Sequence, residues 1–242
     1  MSKPILEVKN LVKTYQGRFV VNGLSFEVKK GEIFGLLGPN GAGKTTAFYM
    51  AIGLIKPDQG SVLFKGEDVT DKPMYKRAKM GLGYLSQEPS VFRNLTVEEN
   101  LLCVLETLGI SKSSQKTRLE ELLEELNLTR LAKKQAGALS GGERRRLEIT
   151  RALITNPSCL LLDEPFANID PLSISDVQML TKQLASKGIS ILITDHNARE
   201  IFSIATRCSL VQDGKALFTG SVNELLQSEI ARKNYLGMDF KL

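Results

Sequence analysis

The stretch Glu32-Ile33-Phe34-Gly35-Leu36-Leu37-Gly38-Pro39-Asn40-Gly41-Ala42-Gly43-Lys44-Thr45 decides how the rest of the chain is read. Residues 32–37 are a short, mostly apolar run of strand type, and residues 45–54 carry a helical pattern. Between them, Gly38 to Thr45 fits GxxxxGK[ST]. Glycines there let backbone N–H groups turn toward one another's focus, and the start of the next helix adds partial positive charge, so the turn suits phosphate oxygens. Lys44 then reaches the outer phosphates and the Thr45 hydroxyl can ligate Mg²⁺, with Thr46 beside it in the same nucleotide-binding turn. The alternative is a plain glycine turn, which asks for neither the Lys nor the flanking strand and helix.

Upstream, residues 5–9 and 24–28 alternate as half-buried strands, and Lys30-Gly31 marks a turn. Downstream, residues 61–64 and 81–85 read as further strands. The middle changes character. Thr96-Val97-Glu98-Glu99 is a capping box, and Leu119, Leu122, Leu123 and Leu126 recur at helical spacing opposite a row of glutamates, so residues 96–156 are expected to be mostly helix. Beyond Pro157 the pattern alternates again: a strand at 159–162, a helix capped by Asp170-Pro171 and carrying Val177, Leu180 and Leu184, and a strand at 189–193. Buried apolar strands alternating with helices predict a parallel sheet with crossover helices. Residues 209–212 and 215–218 around Asp213-Gly214 predict a hairpin, and Ser221-x-x-Glu224 opens a last helix.

Two further features carry chemistry. The run Cys159-Leu160-Leu161-Leu162-Asp163-Glu164 ends a buried strand on two acids, at the sheet edge where ligands of open α/β folds bind. Asp163 would hold Mg²⁺, directly or through water, and Glu164 would polarise an attacking water; phosphoryl transfer needs that orientation more than covalent chemistry. The sequence Leu139-Ser140-Gly141-Gly142-Glu143 reads as a capping box, yet two glycines in a first turn also bare N–H groups at a second helix start, a second anion cradle in one chain.

These motifs, in this order, resemble the ATP-binding subunits of ATP-binding cassette (ABC) transporters. Gly38 to Thr45 is similar to their Walker A loop, Leu139 to Glu143 to their signature, and Leu160 to Glu164 to their Walker B strand. The resemblance implies an α/β fold with a P-loop NTPase core, a mostly parallel sheet, an N-terminal antiparallel β region and a helical subdomain. Residues 1–95 and 157–220 would form the core with its β region, 96–156 the helical subdomain and 221–242 a C-terminal helical extension. It also implies roles. Tyr15 stacks on adenine, Gly38, Pro39, Asn40, Gly41, Ala42, Gly43, Lys44, Thr45 and Thr46 hold the phosphates, and Thr45, Gln87 and Asp163 hold Mg²⁺. Glu164, His196 and Gln87 serve catalysis. Ser140, Gly141, Gly142 and Glu143 serve the nucleotide of the other subunit in a head-to-tail homodimer with two-fold symmetry. Alone, Tyr15 reads as a strand residue, His196 as a satisfied surface histidine and Gln87 as a loop residue.

Within the family, the likeness is to the ATPases of lipopolysaccharide export. It rests on residues 84–93, 139–147, 162–167, 194–200 and the ending 235–242. Ser86 stands where that pattern has Pro, and Asn168, in the D-loop 167–170, where it has Gly. The likeness implies two transmembrane partner subunits, a place on the cytoplasmic face of the inner membrane, and no direct contact with lipid or nucleic acid. Phe92 and Arg93 would line the groove that receives a partner helix, Phe92 otherwise packing in a core. Arg144, Arg145, Arg146 and Arg151 read either as a solvated helix face or as groups near nucleotide or partner. Two other readings are an ATPase of branched-chain amino acid import and a cassette acting on nucleic acid.

Composition agrees with a folded chain. Of 242 residues, 42% are hydrophobic and 24% charged, which excludes disordered and fibrous classes. The 32 Lys and Arg against 27 Asp and Glu leave a net charge of +5, compatible with nucleotide phosphates, anionic lipid or nucleic acid. Charge-free stretches are too short to cross a bilayer, and Met1 to Glu7 lacks a signal-peptide core. Cys103, Cys159 and Cys208 lie in apolar patterns without CxxC spacing and are expected to be buried thiols.

Overall fold

The computed structural model describes residues 3–238 and 240. Met1 and Ser2 of the start, and Asp239, Lys241 and Leu242 of the ending, lie outside the described residues. Strands β1 (Pro4–Tyr15) and β2 (Arg18–Lys29) form an antiparallel hairpin around the alternating segments read from sequence. They run longer than the alternation because register shifts, one of them beside Asn10 at φ 48°, let irregular stretches stay paired. β3 (Ile33–Leu37) leads into α1 (Lys44–Ile52). β4 (Gln59–Phe64) adds to the other edge of β1 and the two-residue β5 (Glu67–Asp68) completes a four-stranded antiparallel sheet, β2-β1-β4-β5. Neither β5 nor the six-residue α2 (Met74–Lys79) is long enough to show a period.

β6 (Leu82–Leu85), β7 (Cys159–Asp163), β8 (Ser190–Thr194), β9 (Arg207–Gln212) and β10 (Lys215–Ser221) join β3 in a second sheet, ordered β10-β9-β3-β8-β7-β6. It is parallel except for the β9–β10 hairpin. Strands β3, β7 and β8 are buried along their whole length. Phe34, Leu36, Leu161 and Leu192 face a core shared with the antiparallel sheet, where Phe26 stacks on Phe34 with centroids 5.8 Å apart. Ile33, Leu37, Leu160, Leu162, Ile191 and Ile193 face the helical side. Coverage on both faces is why these strands read as continuous apolar runs rather than alternating ones.

Helices α3 (Val97–Leu105), α4 (Lys112–Glu125) and α5 (Gly141–Leu153) fill the interval between β6 and β7. Thr96 and Glu99 close the expected capping box, and Leu119, Leu122, Leu123 and Leu126 are buried. α6 (Pro171–Ser186) starts at Asp170 as its N-cap, α7 (Ala198–Phe202) follows β8, and α8 (Val222–Gln227) starts on the Ser221–Glu224 box. A short helical turn α9 (Glu229–Ala231) and a π-helical turn over Arg232–Leu236 then bring Tyr235 to within 3.4 Å of the His196 carbonyl, to which its hydroxyl donates. Cys159 and Cys208 are buried as expected, and burial pushes both thiols up to about 12. Cys103 departs from that expectation. It is exposed, because α3 turns Val97, Leu101 and Leu105 inward and leaves Cys103 on the opposite side. No helix among the described residues is long and apolar enough to cross a membrane.

Candidate functional site

The turn from β3 to α1 is shaped by close approach. A Cβ at Gly38 would fall 2.1 Å from the Val211 carbonyl oxygen, and one at Gly43 2.3 Å from that of Val20, so larger residues at either place would push the loop off its backing strands. Gly43, at φ 98°, is the N-cap of α1, and the first helical turn, Lys44 to Thr46, has N–H groups with no intrahelical acceptor. Thr45 is exposed and Thr46 half-buried, while Pro39, Asn40 and Gly41 form the exposed crest of the loop above buried Ala42. Lys44 is buried; its ammonium donates to the carbonyls of Gly38 at 2.7 Å and Pro39 at 2.9 Å. Burial lowers its pKa, opposed by the negative charges of Glu164, Asp163 and Asp195.

Those carboxylates come from the C-terminal ends of two adjacent strands. Asp163 ends β7 and pairs in register with Thr194 of β8. Both Asp163 carboxylate oxygens and the Thr194 hydroxyl are buried with no hydrogen-bond partner among the described residues. Buried polar atoms are rarely left so, and acceptor oxygens beside a lysine and a bare helix start are the donor set that a hard, oxygen-liganded cation with a phosphate chain would complete. The residues therefore fit Mg²⁺ with a nucleotide. Burial, reinforced by Glu164, pushes the Asp163 carboxyl up to about 6.

That shift has a sign. Between its ordinary value and about 6 the folded chain binds more protons at Asp163 than the unfolded chain, so stability falls as pH rises through that window and stays lower above it. Asp163→Asn is expected to raise the melting point of the ligand-free protein at pH 7, by on the order of 1–3 kcal/mol in stability. The gain should fade by pH 4; an equal gain at both pH values would mean that shape, not charge, is responsible. Asp195 is also raised, chiefly by burial, although it accepts from the N–H groups of Asn197 at 3.0 Å and Phe166 at 3.3 Å.

Glu164 adopts φ 45°, a left-handed conformation that costs a non-glycine residue ~1–3 kcal/mol and persists where neighbours hold it. Its Oε2 accepts from Gln87 Nε2 at 3.0 Å, and His196 Nδ1 lies 3.6 Å from the same oxygen. His196 is exposed, with Nδ1 3.4 Å from Asp195 Oδ1. A carboxylate held by an amide, beside an imidazole and a second, unsatisfied acid, can orient a water and take its proton.

Of the residues expected from sequence, Lys44, Gln87, Asp163, Glu164 and His196 thus meet in one place. Ser140 to Glu143 keep other company. Ser140 caps α5, with Ser140 N donating to Glu143 Oε2 at 2.8 Å and Glu143 N to Ser140 Oγ at 3.2 Å, which holds the Glu143 carboxyl below its usual range. Gly142 has a packing reason: a Cβ there would lie 2.3 Å from Ser173 Oγ on α6. Gly141 faces Ile169 and Asn168, and Asn168 takes φ 59°, a conformation Asn tolerates better than most residues and Gly best. Tyr15 ends β1 as a 45% exposed residue, with Lys13 Nζ 5.6 Å from its ring centroid.

Phe92 is not a core residue: it is 51% exposed, with the Arg151 guanidinium 5.0 Å from its ring centroid. Buried Asn100 clamps its backbone, accepting from Phe92 N at 2.8 Å and donating to Phe92 O at 3.0 Å. Arg93 is exposed beside it. In the arginine run, Arg146 pairs with Asp176 and Arg151 donates to the Ser90 carbonyl, whereas Arg145 is buried, which neither reading of that run anticipated. Thr194 and Asp195 were also missed as site residues; their only sequence signal is the strand end next to His196.

The sequence model described as ABC transporter matches residues 21–167. The lipopolysaccharide export system ATP-binding protein LptB of Acidithiobacillus ferridurans is 50% identical over 238 residues, 98% of this chain and 99% of that protein. LptB of Escherichia coli (strain K12) is 46% identical with the same coverage. Among solved structures, the ADP conformation of an ATP-binding cassette of an ABC transporter superposes with a TM-score of 0.88 at 30% identity, over 98% of this chain and all of that one. A dimeric bacterial ABC transporter cassette gives 0.78 at 25% identity, over 90% of this chain and 98% of that one. With the phosphate loop, the paired acids and nearly the whole length in common, the chain belongs to the ABC transporter family as one of its ATP-binding, ATP-hydrolysing cassettes.

Proposed function

We propose that this cassette powers lipopolysaccharide export, as a homodimer on the cytoplasmic face of the inner membrane beneath two transmembrane partner subunits. The meeting of Gln87 and His196 on one Glu164 oxygen, beside the unsatisfied Asp163, carries the catalytic half of the reading. The 50% identity to an LptB over 99% of its length supports the transport half. In this reading residues 1–95 with 157–220 are the nucleotide-binding core with its β region, 96–156 a helical subdomain, and 221–242 a C-terminal helical extension.

N–H groups of the Gly38–Thr46 turn and the Lys44 ammonium bind the phosphates, and Tyr15 stacks on the adenine. Thr45, Gln87 and Asp163 would hold Mg²⁺, which when bound supplies positive charge to the β- and γ-phosphate oxygens. Gln87 aims the Glu164 carboxylate, Glu164 takes the proton of the attacking water, and His196 faces the γ-phosphate. Ser140, Gly141, Gly142 and Glu143 complete the site of the opposite subunit, so the nucleotide closes the dimer and its hydrolysis opens it. Neither the lipid nor nucleic acid is a ligand of this chain.

The test is purification of the full-length chain from detergent-solubilised membranes with whatever binds it, followed by reconstitution. Transmembrane partners whose vesicles release lipopolysaccharide on ATP addition support the proposal; amino acid permeases with a periplasmic binding protein overturn its transport half. Phe92 and Arg93 form the partner groove in this reading. Phe92→Ala removes an exposed ring that a partner helix would bury, and is expected to weaken capture of the partners by about 10- to 100-fold. Unchanged capture would place the groove elsewhere.

A further inference from the structure

Arg145 is buried in the second turn of α5, with a relative exposure of 5%, and every one of its five N–H bonds is used. Nε donates to the Pro165 carbonyl at 3.1 Å. Nη1 donates to the Ser86 carbonyl at 3.0 Å and to Glu148 Oε2 at 2.9 Å. Nη2 donates to the carbonyls of Asp163 at 3.2 Å and Glu164 at 3.0 Å. One guanidinium therefore grips three consecutive carbonyls around Glu164 and the residue immediately before Gln87. These are the two backbone segments whose side chains meet as Gln87 Nε2 and Glu164 Oε2.

The grip falls where the backbone needs it. Glu164 sits at φ 45°, and besides Arg145 its backbone is fixed by its own N–H donating to the Thr194 carbonyl at 2.8 Å and by the Ala167 N–H donating to its carbonyl at 3.2 Å. Glu148, the ion partner of Arg145, uses its other oxygen to accept from Ser90 N at 3.1 Å, in the loop that carries Phe92. The helix capped by Ser140 is thus tied through Arg145 to the backbone that carries the Glu164 carboxylate, and through Glu148 to the loop of the exposed aromatic.

We infer that Arg145 is a positioning residue for the water-activating carboxylate: it holds the Glu164 turn and the Gln87 segment in register, so that movement of the Ser140 end of α5 is felt at Glu164. The inference rests on Glu164 acting as the base. A lysine cannot replace it, because an ammonium has three donors without the planar fork that reaches five acceptors. Misplacing a catalytic group by about 1 Å costs on the order of 100-fold in rate without requiring any loss of binding.

The test uses the full-length homodimer with Mg-ATP, comparing Arg145→Lys, Glu164→Gln and the double variant for kcat, KM and the Kd of a fluorescent ATP analogue. Arg145→Lys is expected to lower kcat by about 10- to 100-fold while KM and Kd stay within about 3-fold. In the double variant the rate should fall no further than in Glu164→Gln alone, because a positioning group has nothing left to position. Wild-type kcat, a loss confined to KM or Kd, or additive losses would each overturn the inference and leave Arg145 as packing. Arg145→Gln combined with Glu148→Gln, which removes both charges of the buried pair instead of stranding the Glu148 carboxylate, carries the same expectations where the lysine variant does not fold. If Arg145→Lys is silent while Glu164→Gln is inactive, only the positioning role is lost; if Glu164→Gln turns over normally, the base assignment falls and the inference with it.

Discussion

Glu164→Gln is expected to bind Mg-ATP at least as tightly as the unaltered chain, to accumulate as an ATP-bound dimer, and to turn over about 100- to 10,000-fold more slowly. The amide keeps the shape of the side chain and an oxygen that still accepts from Gln87 Nε2, so the local fold has no reason to change. What it loses is basicity. An amide takes no proton from water, and a positioned base contributes that range of rate in phosphoryl transfer only if it can. Removing one negative charge beside Asp163 and Asp195 also eases the approach of a polyanion, so affinity moves opposite to rate. Size-exclusion chromatography with ATP and a phosphate-release assay read the two halves separately. Turnover at the unaltered rate would move the base elsewhere, and a variant that stayed monomeric with saturating Mg-ATP would remove the nucleotide-sandwiched dimer.

The sequence disclosed most where one physical constraint acts on neighbouring residues. Strands β3, β7 and β8 had to be continuously apolar because both faces are covered, and the boxes at Thr96, Ser140 and Ser221 lie where the helices start. The phosphate loop was legible for the same reason, being a strand, a turn and a helix start in series. What the sequence hid is what depends on distant partners. Gln87 has no local signal; it becomes meaningful 3.0 Å from an acid 77 positions away. Arg145 stood inside a run of three arginines that read as a solvated face or as groups near nucleotide or partner, yet Gly142, Arg145, Glu148 and Ile149 are all buried and recur at helical spacing, so the helix places the middle arginine inward with an acid to meet it. Cys103 erred in the other direction: an apolar neighbourhood in sequence is not a buried face on a helix. The sequence offered Ser140–Glu143 as an anion cradle, but their proposed service to the nucleotide of a second subunit came only from the family resemblance, since it would be a property of two chains.

Lys44→Ala should change affinity rather than rate. The ammonium is buried against the two carbonyls of its own loop, and it is the positive group beside three carboxylates that would otherwise face a triphosphate uncompensated. A charge-assisted hydrogen bond to phosphate contributes roughly 1.5–3 kcal/mol. Unscreening the acids against the ligand adds repulsion in the same direction. Together they correspond to a rise in Kd of about 30- to 1,000-fold. In the ligand-free protein the effects oppose one another: removing Lys44 relieves the desolvation of a buried ammonium, but it also deletes the cation beside Glu164, Asp163 and Asp195 and the hydrogen bonds to the Gly38 and Pro39 carbonyls. Ligand-free stability is therefore expected to change little while binding collapses, which separates loss of a ligand contact from general unfolding. Thermal melting with and without Mg-ATP reads both at once: the ligand-free transition stays near that of the unaltered chain, and the upward shift that ATP gives the unaltered chain disappears. An ATP-induced shift of full size in Lys44→Ala would mean that the phosphates are held by the backbone N–H groups alone and that the lysine serves only to brace Gly38 and Pro39.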